Sequence, residues 1–130
     1  MAMAKNRVFI SYDYDNDNDL KTMLLGQSSN PDSPFDIADW SIKVASPGWQ
    51  DEARRRIRAS DSVAVICGLS THLAVGVATE VAVAQEEGIP YFLLSGRSQG
   101  TCQKPTSARG TDKIYTWTWD NVKNLVKGGR

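Results

Sequence analysis

The run Val63-Ala64-Val65-Ile66-Cys67 has no polar interruption, and it constrains this chain more than any other feature. A strand wetted on one face alternates apolar and polar residues, whereas a strand without alternation has to be covered on both faces. Helical crossovers give a parallel sheet that cover. Two further runs read the same way, Arg7 to Tyr12 and Ile89 to Ser95. The second carries Pro90 at its start, where a missing N–H costs a sheet least. Phe35 to Trp40 reads as a partly exposed strand and Lys113-Ile114-Tyr115 as a short last one.

Helix-length segments separate these runs. The acidic and amide stretch Asp13 to Asp19 supplies loop and capping residues for a helix with Leu20, Met23 and Leu24 at helical spacing, and Gly26 offers its stop. A second helix runs from about Trp49 to Ala59, with Asp51 and Glu52 in its first turn and Arg54, Arg55, Arg56 and Arg58 towards its end, as the helix dipole favours. Glu52 and Arg56 stand at i,i+4. The arginines suit either an anion site or a solvated, paired face, and the second reading is favoured. A third helix surrounds Glu80 and ends near Gly88. The last is capped by Asp120 and carries Val122, Leu125 and Val126. Strand and helix alternating in this way predict a flavodoxin-like three-layer α/β/α fold. Its five-stranded parallel sheet takes the order 2-1-3-4-5, with Val63 to Cys67 central and Phe35 to Trp40 towards one edge. At 130 residues, one domain over 1–130 accounts for the chain.

Charge and cysteines narrow the classes. Fifteen basic residues balance fifteen acidic ones, which disfavours a general nucleic-acid binder. Cys67 closes the central apolar run and reads as a core residue, while Cys102 sits in a polar loop. An unclustered pair gives neither metal spacing nor a disulfide framework, and a reduced cytoplasmic setting is expected. No apolar run approaches the roughly 20 residues that cross a bilayer. Met1-Ala2-Met3-Ala4-Lys5 lacks the apolar stretch of a signal peptide.

In sheets of this kind the functional crevice lies outside the carboxyl ends of the strands. Those ends are Ser11-Tyr12-Asp13, Asp39-Trp40-Ser41, Gly68 through His72, and Ser95-Gly96. Glu80 lies on the helix entered from the third. Its helical neighbours at three and four positions are Gly76, Val77, Val83 and Ala84, none of which can pair a charge. An unpaired acid in such a stretch is costly if buried and invites a catalytic explanation. One crevice is therefore expected to gather Tyr12, Asp13, Asp39, Trp40, His72 and Glu80. Three common occupants of the fold fail on sequence. A phospho-accepting receiver needs an Asp where Cys67-Gly68-Leu69 stands. A flavin phosphate loop is incompatible with Tyr12-Asp13-Tyr14-Asp15, and no G-x-G-x-x-G run marks a dinucleotide fold.

Four ordered segments then resemble a TIR-like domain of the bacterial and archaeal type. They are Val8-Phe9-Ile10-Ser11-Tyr12-Asp13-Tyr14-Asp15-Asn16-Asp17, Asp39-Trp40-Ser41-Ile42-Lys43, Arg54-Arg55-Arg56-Ile57-Arg58-Ala59-Ser60-Asp61, and Ser70-Thr71-His72 with Gly76-Val77-Ala78-Thr79-Glu80. The similarity runs from about Val8 to Ser95, and the tail beyond it resembles nothing useful. The resemblance implies an enzyme that takes NAD as substrate, with no further cofactor or metal. It cleaves the nicotinamide–ribose bond and yields a linear or cyclic ADP-ribose-type nucleotide. Relatives of this kind include the TIR-like proteins of Thoeris anti-phage defence, which implies a phage-derived trigger and an effector reached through the diffusible nucleotide. Glu80 matches the family's catalytic Glu. Ser11, Asp13 and Asp39 are candidates for ribose hydroxyls, Tyr12 and Trp40 for stacking on a base, and Ser41 and His72 for substrate contact. Each has a plainer alternative in capping or packing. The resemblance also implies a weak homo-oligomer, with the short Ser41–Gly48 loop and Trp40 or Trp49 at the contact. A non-catalytic TIR-like interaction or nucleotide-sensing module is the rival reading; Glu80 favours the enzyme, because a scaffold has no use for an unpaired acid there.

Overall fold

A computed structural model describes residues 5–41 and 47–129. Five strands form one all-parallel sheet in the order β2-β1-β3-β4-β5. In chain order these are β1 (Asn6–Ser11), β2 (Phe35–Trp40), β3 (Ser62–Cys67), β4 (Tyr91–Ser95) and β5 (Ile114–Thr116). The helices are α1 (Asn18–Ser28), α2 (Trp49–Arg58), α3 (Val75–Glu87) and α4 (Trp119–Val126). The architecture is the flavodoxin-like α/β arrangement that the unbroken apolar run demanded. All six residues of β3 are buried between β1 and β4.

Strand periodicity divides the core in two. Val8, Ile10, Ala64, Ile66, Phe92 and Leu94 point to one face and pack with Leu20 and Leu24 of α1 and Val122, Leu125 and Val126 of α4. Phe9, Val63, Val65, Cys67 and Leu93 point to the other, against Ile57 of α2 and Val77, Val81, Val83 and Ala84 of α3. Each side chain's face thus follows from its parity along the strand. Ser11 has the parity of Phe9, so it faces the α2/α3 layer.

The pairing of β1 with β2 contains an irregularity that matters later. Val8 pairs with Ile37 but Phe9 pairs with Asp39, so Ala38 is an extra residue in the edge strand. Such a bulge reverses the facing of everything after it. Trp40 falls beside Ile10 and packs on the α1/α4 core, with Lys21 Nζ 4.9 Å from its ring centroid. Asp39 falls beside Phe9 on the α2 side, where Arg56 Nη1 donates to it at 2.7 Å.

The four arginines of α2 are engaged. Arg54 pairs with Glu86 at 2.6 Å and Glu87 at 2.7 Å, and Arg58 pairs with Glu87 at 2.9 Å. Arg55 pairs with Glu52, and Arg56 is shared between Glu52 and Asp39. Arg54 and Arg58 fasten α2 to α3 and Arg56 ties it to β2, while Arg55 stays within its own helix.

Two helix boundaries differ from the sequence expectation. Gly26 lies inside α1, which continues to Ser28; a lone glycine near a helix end costs only about 1 kcal/mol, less than a further half-turn of packing provides. Thr118, not Asp120, caps α4, accepting from the Asn121 amide at 3.1 Å. Gly88 does end α3 as expected, in the left-handed conformation at φ 68°. The contact loop expected at Ser41–Gly48 lies outside the described residues over 42–46.

Gly68, at the end of β3, is held against the first loop of the chain. A Cβ there would stand 2.3 Å from Asp17 Oδ2 and 2.7 Å from Oδ1. Asp17 cannot readily yield, since it is buried and Arg97 Nη2 donates to its Oδ1 at 3.1 Å. Gly68→Ala is therefore expected to destabilise the protein by about 1–3 kcal/mol, the usual cost of overpacking. A urea unfolding midpoint unchanged from the parent would show that the Asp17 loop moves aside freely.

Candidate functional site

Glu80 lies mid-helix in α3 with only 1% of its surface exposed. Two serine hydroxyls converge on one of its oxygens. Ser41 Oγ donates to Oε1 at 2.6 Å and Ser11 Oγ donates to the same atom at 2.8 Å. Among the described residues nothing is bonded to Oε2, and no cationic side chain reaches the carboxylate. Burial pushes the Glu80 carboxyl up to about 7, against the opposing pull of the Ser41 and Ser11 hydroxyls.

The serines reach Glu80 because of how the strands are built. Ser11 ends β1 on the α3 face. The bulge at Ala38 brings Ser41 alongside it, and Ser41 N continues the ladder by donating to Ile10 O at 2.9 Å. Ser41 Oγ in turn accepts from the Tyr12 amide at 3.1 Å, so the hydroxyl proton is directed at Glu80.

Above Glu80 opens a cleft of about 380 Å³, floored by Ser41 and Glu80 and walled by the loop after β1 and the start of α3. It falls within the range of roughly 300–1,000 Å³ usual for small-molecule sites. Tyr12, Asp13, Tyr14, Asp15 and Asn16 form one side, and Ser70 and the stretch Leu73 to Val77 form the other. Asp13 organises its own loop, accepting from Asn16 Nδ2 at 2.7 Å and from the Asp15 amide at 3.3 Å. Burial, then the charges of Tyr14 and Glu80, push the Tyr12 phenol up to about 12, so it stays a neutral hydroxyl.

Of the residues expected from sequence, Tyr12, Asp13, Ser41 and Glu80 line this cleft, and Ser11 stands behind Glu80 as its second donor. Asp39, Trp40 and His72 do not line it, which corrects the expectation of a single crevice gathering all of them. Strand parity after the bulge sends Asp39 to Arg56 and Trp40 to the α1/α4 core. His72 is exposed on the 3-10 turn Thr71–Leu73 and lines a shallower depression that adjoins the cleft across Leu73, Ala74 and Val75. The turn's contribution is structural: Thr71 Oγ1 accepts from the Gly68 amide at 2.7 Å.

Sequence reasoning did not single out Tyr14 or the exposed pair Leu73 and Val75 as cleft residues. Among the described residues no group of three or more His, Cys, Asp or Glu side chains is placed to hold a metal ion. No helix among them is long and apolar enough to cross a membrane.

No protein-family model matches the chain, and no curated protein matches it in sequence.

The buried acid has a consequence for stability. Its folded-state pKa lies above the unfolded value, so the folded protein holds the proton more tightly. That contribution is fully present below the model-peptide value of about 4.5 and is lost as pH rises through about 7. Relative to Glu80→Gln, the parent is expected to lose on the order of 3 kcal/mol between these limits. Parallel urea titrations of both proteins across that pH window test this, and a constant difference between them would refute it.

Proposed function

We propose that the chain is a TIR-like enzyme that cleaves the nicotinamide–ribose bond of NAD, releasing nicotinamide and an ADP-ribose-type nucleotide. The observation that carries this reading is Glu80: a carboxylate buried at the floor of a cleft, oriented through Oε1 by two hydroxyls, with no described residue bonded to Oε2 and no described cationic side chain near it. An acid arranged this way waits for positive charge.

The chemistry of a pyridinium glycoside suits such a site. As the C1′–N bond breaks, the bonding pair passes to the ring nitrogen and nicotinamide leaves neutral. No proton has to be delivered to the leaving group, so no general acid is required. This differs from ordinary glycoside hydrolysis, where a second carboxyl protonates the departing oxygen. The remaining demand is stabilisation of the oxocarbenium-like ribose, which a preorganised anion in a low-dielectric floor meets. Ser11 and Ser41 fix that anion and moderate the cost of ionising it. The fate of the ribosyl group, transfer to water or cyclisation, depends on which nucleophile the cleft admits.

The rival reading, a TIR-like module that binds partners without turnover, draws on Leu73 and Val75, which are 72% and 68% exposed at the cleft rim. Release of free nicotinamide from NAD by purified protein discriminates between the two. So does sedimentation across a concentration series, which a pure scaffold would alter without releasing nicotinamide.

Glu80→Gln retains shape and hydrogen-bonding capacity but removes the charge. Nicotinamide release is expected to fall at least about a hundredfold, the scale of losing one preorganised electrostatic group. Turnover at the parent rate would end the assignment. In the parent, kcat/KM is expected to rise about tenfold per pH unit below pH 7 and level off above it, because the carboxylate form is the active one. Ser41→Ala removes a donor that favours the anion and is expected to move that rise to higher pH; a profile displaced to lower pH would contradict the role given to the hydroxyl.

A further inference from the structure

The described walls of the cleft carry three carboxylates, Asp13, Asp15 and Glu80, and no Lys, Arg or His. Among the described residues, Arg97, Lys21 and the α2 arginines are committed elsewhere. Arg97 is held by Asp17 and Asp19, Lys21 lies over Trp40, and the α2 arginines pair with Glu52, Glu86, Glu87 and Asp39. Among the described side chains of the cleft, a phosphate meets only like charge. The cleft also has a flat aromatic element: Tyr14, 43% exposed, lies over the buried Tyr12 with ring centroids 6.1 Å apart and planes 24° from parallel. Leu73 and Val75 extend the apolar rim. Tyrosine faces attract cations, more strongly where water is excluded.

We propose that the cleft selects for positive charge and dispenses with phosphate, so that a phosphate-free pyridinium riboside is a substrate in its own right and Tyr14 is the residue that recognises the charged ring. This rests on the reading of Glu80 as the group that stabilises a ribosyl cation. The step balances without a redox partner. The C1′–N1 bond breaks with its electron pair going to the ring nitrogen, a water oxygen bonds to C1′, and one water proton passes to solvent. Ribose and the neutral pyridine are the products. The part of NAD beyond the first ribose then lies outside the acidic cleft and contributes affinity without being required for cleavage.

Binding and cleavage are tested separately. For binding, 1-methylnicotinamide, a permanent cation with no scissile ribose, is compared with neutral nicotinamide by amide chemical-shift titration of the full chain. The cation is expected to bind at least about tenfold more tightly, to weaken as salt is raised, and to lose about fivefold or more in Tyr14→Ala. Tyr14 is exposed, so that variant is expected to fold normally. Equal binding of the neutral amide overturns charge selection, and an unaffected Tyr14→Ala overturns the role of Tyr14. For cleavage, nicotinamide riboside is expected to release nicotinamide with kcat/KM within about tenfold of NAD, and Glu80→Gln to abolish both. If NAD is cleaved and the riboside is inert, this inference falls and the proposed function stands. If neither is cleaved while the cation still binds selectively, the proposed function falls, and the substrate claim with it.

Discussion

Everything at the cleft depends on keeping one carboxylate at the sheet–helix boundary, where water would ordinarily be needed to hold it. An isolated charge in such a place is expensive. The protein offsets the cost with two neutral donors rather than a cation. A buried ion pair would have stabilised the anion more, but would have cancelled the field at the cleft floor. Hydroxyls leave the charge in place while orienting it. The result is an acid titrating near neutrality, pushed up by burial and restrained by Ser41 and Ser11.

The arrangement hinges on one extra residue. Had β2 run straight, Asp39 and Ser41 would share the face of Ile37, and Trp40 would point at α3. The bulge at Ala38 exchanges these facings. Trp40 gains an apolar core, Asp39 gains Arg56, and Ser41 arrives beside Ser11 over Glu80. An edge strand tolerates the irregularity because its other side has no neighbour to keep in register. Packing and site geometry are therefore satisfied by the same local distortion.

Much of this was legible in the residues. Uninterrupted burial along Val63 to Cys67 could only be met by a doubly covered parallel sheet, and Glu80 stood out because its helical neighbours offered it no partner. Tyr12, Asp13 and Ser41 followed from the rule that strand ends build the crevice. Asp39 and Trp40 were misplaced for a definite reason. Sequence periodicity assigns faces only while a strand stays regular, and a bulge leaves no compositional mark that distinguishes Ala38 from any other strand alanine. The arginines of α2 were ambiguous for a related reason: their partners Glu86 and Glu87 are about thirty residues away in the chain, and only the packing of α2 on α3 shows them to be engaged.

The distribution of charge completes the account. Zero net charge conceals a separation in which Arg54 and Arg58 are consumed in fastening α2 to α3 and Arg97 in holding the first loop, while the described walls of the cleft retain acids alone. No described side chain of the cleft wall supplies a positive charge, so on the proposed reading the ligand brings it. On the proposed reading, a leaving group that starts cationic and departs neutral removes that charge from the ring as it goes, and the positive character passes to the ribose carbon that the carboxylate would stabilise. On that reading, the field that favours entry of the intact molecule favours its dissociation as well.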